Sequence, residues 1–128
     1  MEKKFYLTTP LYYVNAVPHI GHSYTSIAAD TLARFHRHLG EEVYFLTGTD
    51  EHGQKIAKAA CEAGLGEKAF TDKMVSIFVE LWKALNVSYD DFIRTTDERH
   101  VNAVKNVLTI LYENKDLGVS FKYPSNFK

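Results

Sequence analysis

Cysteine, proline and one-sided charge are all scarce in this chain of 128 residues. Its single cysteine, Cys61, closes no internal disulfide and cannot alone build a thiolate metal site. A fold stapled by internal disulfides is thereby excluded, and a reducing compartment, the cytoplasm, is the expected location. Three prolines and seven glycines leave no Pro/Gly/Ser-rich linker, low-complexity tract or internal repeat. Lys and Arg number 15 against 16 Asp and Glu, a net charge of -1. No uniform field therefore draws the chain onto nucleic acid or an anionic membrane, and any RNA contact would be a local patch or lie in a part absent from these residues. No apolar run approaches the roughly 20 residues of a membrane span. The stretch Phe5–Leu7 behind Lys3 and Lys4 is too short for a signal segment. What is present is ordinary: 45% hydrophobic and 24% charged residues, the composition of one globular domain with a real core.

The pattern predicts an α/β chain. Phe5 to Thr9 (FYLTT) is aromatic and β-branched and reads as a buried strand ended by Pro10. A loop is expected from Leu11 to Pro18. Tyr24, Ala28, Leu32, Phe35 and Leu39 recur at helical spacing, so a helix is expected from about Gly21 to Leu39, stopped by Gly40. Glu42 to Thr47 (EVYFLT) reads as a second strand, Gly48 to Gly53 (GTDEHG) as a polar loop, and Gln54 to Ala63 as a short helix. Phe70, Met74, Ile77, Phe78, Leu81 and Leu85 share one face of a helix over 67–85, which places Trp82 in or beside the core. A short strand is expected around Phe92-Ile93-Arg94. Thr95 and Glu98 have capping-box spacing and would open a last helix burying Val101, Val104, Leu108 and Leu111. Alternating strands and helices with short connections point to a parallel sheet, whose ligands bind beyond the carboxyl ends of the strands.

Two loops meet that description, and they hold the residues with chemistry. Pro18-His19-Ile20-Gly21-His22 opens a helix. Unpaired amides at a helix N-terminus attract phosphate, two imidazoles could add donors to phosphoryl oxygens, and Gly21 would let a flat base approach the backbone. A metal pair, or two plain loop histidines, fits the same spacing. In Gly48-Thr49-Asp50-Glu51-His52-Gly53, Asp50 could hold an ammonium group and His52 could line a site. A solvated turn is the bland alternative, and zinc held by both histidine loops is a third. Pro10, Leu11, Tyr12 and Tyr13 could wall an apolar pocket or simply pack on the core. Cys61 and the lysines at 55, 58, 68 and 73 read as inert helix positions. No GxGxxG, Walker A or GxSxG sequence occurs.

Taken together, TTPLYYVN from Thr8, PHIGH from Pro18, FLTGTDEHG from Phe45, and DDFIRTT from Asp90 with the following His100 closely resemble the start of the bacterial methionyl-tRNA synthetases. The resemblance covers about residues 5–114. HxGH alone is shared by all class I synthetases and many nucleotidyltransferases; the run from YYVN through HIGH to GTDEHG is much narrower. The resemblance implies the first half of a Rossmann-type parallel sheet with flanking helices over residues 1–114, followed by an atypical tail, 115–128. It implies formation of methionyl-adenylate from methionine and ATP with magnesium, then transfer to tRNA(Met) in the full enzyme. By position, His19 and His22 would be catalytic, and His19, Ile20, Gly21 and His22 would bind ATP. Leu11, Tyr13 and Asp50 would bind methionine, with Pro10 and His52 lining the site, and no metal held by the protein in this part. The chain contains no KMSKS sequence and no counterpart of the inserted connective or anticodon-binding domains. The remaining C-terminal part of the same enzyme is thus an expected partner, and no membrane is. Two other readings stay open: a small, complete HxGH nucleotidyltransferase, and a non-catalytic nucleotide-binding module derived from a synthetase.

Overall fold

Alternation in burial along Lys4–Thr8 (β1) turns Phe5 and Leu7 inward and Lys4, Tyr6 and Thr8 outward, the two-residue period of a sheet covered on one face. The computed structural model that shows this describes residues 3–116. The chain divides into two compact units, residues 1–96 and 97–128, each described by itself below.

The first unit is organised around Glu42–Asp50 (β3), to which all three other strands bond in parallel. β1 pairs with Glu42 to Leu46, the short strand Tyr12–Tyr13 (β2) with Thr49 and Asp50, and Asp91–Arg94 (β4) with Leu46 to Thr49. Leu46 bonds both β1 and β4, and Thr49 both β2 and β4. One residue has only two edges, so β1 and β2 lie on the same side of β3 and β4 on the other. The helix Ile20–His38 (α1) packs Ala29 and Ala33 onto Phe45, with Leu7 and Val43 beside them. A larger cluster joins Tyr12 and Val14 to Ile56 and Ala60 of Gln54–Glu62 (α2) and to Phe70, Met74, Phe78 and Trp82 of Glu67–Ala84 (α3).

Most expected elements lie within a residue or two of their predicted bounds. β3 runs three residues further than expected, through Gly48 and Thr49 to Asp50, and β2 lies inside what reads as a loop. Gly48 explains how β4 gets so close. A Cβ there would collide with the Ile93 carbonyl and lie 2.7 Å from Ile93 Cγ2. Gly48→Ala is therefore expected to lower stability by about 3 kcal/mol, the upper end for overpacking against an unyielding neighbour, measured by urea unfolding.

The buried face of α1 departs from its apolar pattern, and the expected burial along the last helix is corrected. In α1 the inward residues are Ser26, Ala29, Asp30 and Ala33, whereas Tyr24, Leu32, Phe35 and Leu39 are exposed. The sheet admits the helix only through small side chains, while Asp30 accepts hydrogen bonds from Ser88 and Arg34. The larger apolar residues take the opposite face. In α3, Phe70, Met74, Phe78 and Trp82 are buried as expected, while Ile77, Leu81 and Leu85 are only partly so. In the second unit, Glu98–Glu113 (α4) starts from Asp97, not Thr95, and no side chain caps it. None of its residues is buried, Val104 and Leu108 included. The Thr95 hydroxyl is engaged elsewhere, as described below. The tail from 117 onward lies outside the described residues.

Candidate functional site

Parallel pairing brings the carboxyl ends of all the strands to one edge. There Tyr13 lies in register with Asp50, β4 ends at Arg94, and the chain leaving β2 enters α1. Four backbone N–H groups at the start of that helix need partners. His19 is the N-cap, with extended backbone, and its Nδ1 accepts the Gly21 N–H at 3.1 Å. His22 reaches back so that its Nδ1 accepts the His19 N–H at 3.0 Å. The two imidazoles thus form a reciprocal capping box, a task usually given to Ser/Thr with Glu/Gln. Each Nδ1 is committed as an acceptor, so in the neutral ring Nε2 carries the hydrogen. The helix end thereby presents two imidazole N–H donors along with its own dipole.

The rings are stacked obliquely, centroids 3.9 Å apart. His22 also meets the edges or faces of Tyr12 at 5.1 Å and Phe78 at 5.3 Å, while Tyr12 is pinned by a 2.9 Å bond between its hydroxyl and that of Ser26. Burial, then repulsion from His19, holds the His22 pKa below the usual imidazole value, which keeps this ring a neutral donor. Gly21 is needed for this arrangement: a Cβ there would lie 2.9 Å from His19 Cε1. Beside the pair opens a pocket of about 400 Å³, walled by Leu11, Tyr12 and Tyr13, by Asn15 to Val17, and by His19 and His22.

The second half of the site is set by Asp50, Glu51 and His52. Asp50 Oδ1 accepts the His52 N–H at 3.3 Å and faces the Thr95 hydroxyl at 3.5 Å. Glu51, whose side chain is fully buried, is a different kind of carboxylate. It accepts both prongs of the Arg94 guanidinium at 2.6 and 2.8 Å, the Thr49 hydroxyl at 2.8 Å and the Thr96 hydroxyl at 2.7 Å. Arg94 is also bonded to Asp72 of α3 at 2.6 Å. Burial by itself would raise the Glu51 pKa, but the bonds from Arg94, Thr96 and Thr49 outweigh it and hold the carboxyl below its usual range. The hydrogen bond to Glu51, with that to Asp72, raises the Arg94 pKa against the opposing effect of burial.

Of the residues singled out from sequence, Leu11, Tyr13, His19 and His22 meet in the pocket, and Asp50 adjoins it through its register with Tyr13. Ile20 is 84% exposed and points away from the core. Pro10 is exposed, its carbonyl accepting the Thr9 hydroxyl. His52 turns its ring to the Thr95 carbonyl at 3.3 Å. Among the described residues no three His, Cys, Asp or Glu side chains are grouped to hold a metal ion, so the two histidine loops do not converge on one. Sequence reasoning missed Arg94 and Thr95 as site residues; their signal, polar groups at the end of a strand following DEH, was short and non-local.

The family model for class I tRNA synthetases (M) matches residues 5–121. A methionine–tRNA ligase of Clostridium tetani is 55% identical over 116 residues, 91% of this chain and 18% of that protein. The Rickettsia bellii methionine–tRNA ligase is 58% identical over 104 residues, 81% of this chain and 20% of its own. Among solved structures, Mycobacterium tuberculosis methionyl-tRNA synthetase in complex with methionyl-adenylate superposes with a TM-score of 0.86 at 45% identity, covering 88% of this chain and 22% of that one. The chain thus spans about a fifth of the length of the relatives it matches.

Proposed function

The chain belongs to the class I tRNA synthetases of the methionyl group, and from that membership we propose that it forms the ATP and methionine half-site of a methionine–tRNA ligase. The observation that carries the reading is the pocket in which the two Nδ1-anchored histidines share walls with Leu11 and Tyr13. A methionine carboxylate oxygen attacks the α-phosphorus of ATP, the bond to the bridging oxygen breaks, and pyrophosphate leaves; magnesium, entering with ATP, would offset charge on its phosphates. Charge on the phosphoryl oxygens is met by the Nε2–H groups of His19 and His22 and by the amides of the α1 N-terminus, with no covalent enzyme intermediate. Ile20 and Gly21 contribute the backbone on which the nucleotide rests. Asp50 pairs with the methionine ammonium, while Leu11 and Tyr13 border the polarizable thioether. Pro10 and His52 line the approach.

Transfer to tRNA(Met) belongs to the whole enzyme, with residues 1–114 as half of its catalytic domain and 115–128 as an atypical tail. The exposed face of α1, with Tyr24, Ile27, Leu32 and Phe35, favours further parts of the same enzyme as partners, because an apolar stripe along a helix is the kind of face that packs against another element. A cytoplasmic location accords with a chain in which no described helix is long and apolar enough to cross a membrane.

The test is amino-acid-dependent ATP–pyrophosphate exchange with all twenty amino acids, run beside the His19→Ala/His22→Ala variant. Weak exchange with methionine alone, lost in the variant, is expected. Preference for another amino acid overturns the reading. If exchange is silent, an NMR titration with methionine decides: shifts at Leu11, Tyr13 and Asp50 sustain the half-site, and their absence refutes it.

A further inference from the structure

Resting on the reading of Asp50 as the ammonium-binding carboxylate, we propose that the Thr95 hydroxyl is the positioning residue that sets Asp50 in its ligand-ready rotamer. A threonine hydroxyl has one hydrogen to give and two lone pairs to receive. One lone pair is taken by the Glu51 N–H at 2.9 Å. That bond orients the oxygen, and its hydrogen is left for Asp50 Oδ1, 3.5 Å away. The separation is long, as hydrogen bonds in ligand-free sites often are before a bound ligand tightens them. The His52 N–H falls on the same Oδ1 at 3.3 Å. Both protein donors therefore occupy one oxygen of the carboxylate, and Oδ2 takes no partner among the described residues, which leaves it to the ammonium.

The hydroxyl is itself held from both sides. Thr95 is buried, and its N–H donates to the Thr49 carbonyl at 3.1 Å. Arg94 before it is fixed to Glu51 and Asp72, and the Thr96 hydroxyl after it donates to Glu51 at 2.7 Å. The Thr95 carbonyl receives the His52 ring. A single residue at the end of β4 thus touches Asp50, Glu51 and His52, and its β-branch leaves χ1 little freedom. The same hydroxyl would cap α4 in a local reading of the sequence; the structure spends it across the sheet instead, and α4 begins at Asp97 with no side-chain cap.

The experiment uses the 128-residue chain with Thr95→Val, which keeps the shape and removes the hydroxyl, and Thr95→Ser, which keeps the hydroxyl. Amide NMR spectra establish that each variant is folded. Should Thr95→Val not fold, Thr95→Ala, whose space admits a water to the Glu51 N–H, takes its place. Three-bond couplings at Asp50 are expected to report one rotamer in the parent and in Thr95→Ser, and an averaged rotamer in Thr95→Val. Affinity for methionine is expected to fall roughly 3- to 10-fold in Thr95→Val, the value of one net hydrogen bond, and to recover in Thr95→Ser. Affinity for 4-(methylthio)butanoate, methionine without its ammonium, is expected to stay unchanged. In an Asp50→Asn background the Thr95→Val change is expected to have no further effect. Unchanged Asp50 couplings in Thr95→Val, or equal losses for the two ligands, would overturn the proposal. If the parent binds no methionine while the Asp50 rotamer responds as expected, the functional reading fails and the positioning role stands.

Discussion

Arg94→Ala is expected to destabilise the unit of residues 1–96 by about 3–5 kcal/mol, the usual result of stripping a buried charge of its partner. Glu51 is the charge concerned. Its side chain is fully buried, and the two Arg94 bonds at 2.6 and 2.8 Å are what make its ionised form tolerable there. The loss read by urea unfolding should therefore exceed the effect of Asp72→Ala many-fold, since Asp72 sits 44% exposed and its pair with Arg94 is the weaker, solvated kind. Removing both charges, as in Glu51→Gln/Arg94→Met, should restore most of the stability, because a buried pair replaced by neutral groups is often close to neutral overall. A double variant as unstable as Arg94→Ala would show that packing, not charge, is at stake.

The same variants should differ in their dependence on pH. In the parent, burial raises the Glu51 pKa, but hydrogen bonds from Arg94, Thr96 and Thr49 bring it below the unfolded value. Such a group stabilises the fold above its unfolded pKa, about 4.3, and that contribution is lost as pH falls through the lower folded value. Asp30 behaves likewise: burial is outweighed by bonds from Ser88 and Arg34. In Arg94→Ala the burial effect on Glu51 is no longer opposed by the guanidinium. Its pKa should therefore rise relative to the parent, and the variant should lose less stability than the parent on acidification. Unfolding free energies at pH 7 and about pH 3.5 compare the two slopes.

These groups show why the fold was more legible than the site. The strands at Lys4–Thr8 and Glu42–Asp50 and the helices α1 to α3 follow from local pattern, because burial with a period of two or 3.6 is written in consecutive residues. The HIGH and GTDEHG stretches were legible for a similar reason: topology puts both at the carboxyl edge of a parallel sheet. β2 was not legible, since Tyr12 and Tyr13 form a strand only through their register with Thr49 and Asp50. Nor was the inward face of α1. Periodicity marks where large apolar residues lie, and the close approach of this helix to β1 and β3 is made by Ala29 and Ala33, which carry almost no hydrophobic signal. Thr95 and Arg94 were invisible as site residues because their partners lie 43 to 45 positions away. Local spacing assigned Thr95 to a helix cap that the structure does not make.

His22→Asn and His22→Gln are expected to isolate one of two tasks that a single imidazole performs, separating the donor at Nε2 from the acceptor at Nδ1. The Asn amide oxygen can stand near Nδ1 and accept the His19 N–H, but the donor at Nε2 is gone. Gln is the usual residue at this place in a capping box, so its amide oxygen can accept the His19 N–H while its NH2 stands near Nε2 and donates. Methionine-dependent ATP–pyrophosphate exchange should therefore fall about 100- to 1,000-fold in His22→Asn, the cost of one donor to developing phosphoryl charge, with thermal stability almost unchanged. His22→Gln should lose less activity and keep its stability, because the capping box survives. The pH profile follows from the same geometry. Burial, then the neighbouring His19, lowers the His22 pKa, so the ring's contribution to stability is present above about 6.5 and is lost as pH falls through its lower folded value. Protonation places a hydrogen on the Nδ1 that now accepts from His19, and the helix end loosens at the pH at which the ring gains charge. Added positive charge alone would be expected to help bind a nucleotide. A fall in exchange towards acid pH in the parent, weakened in His22→Asn whose amide does not titrate, would show that the site works through a neutral ring anchored to the backbone rather than through an imidazolium ion. Equal behaviour of the Asn and Gln variants would contradict that division of labour.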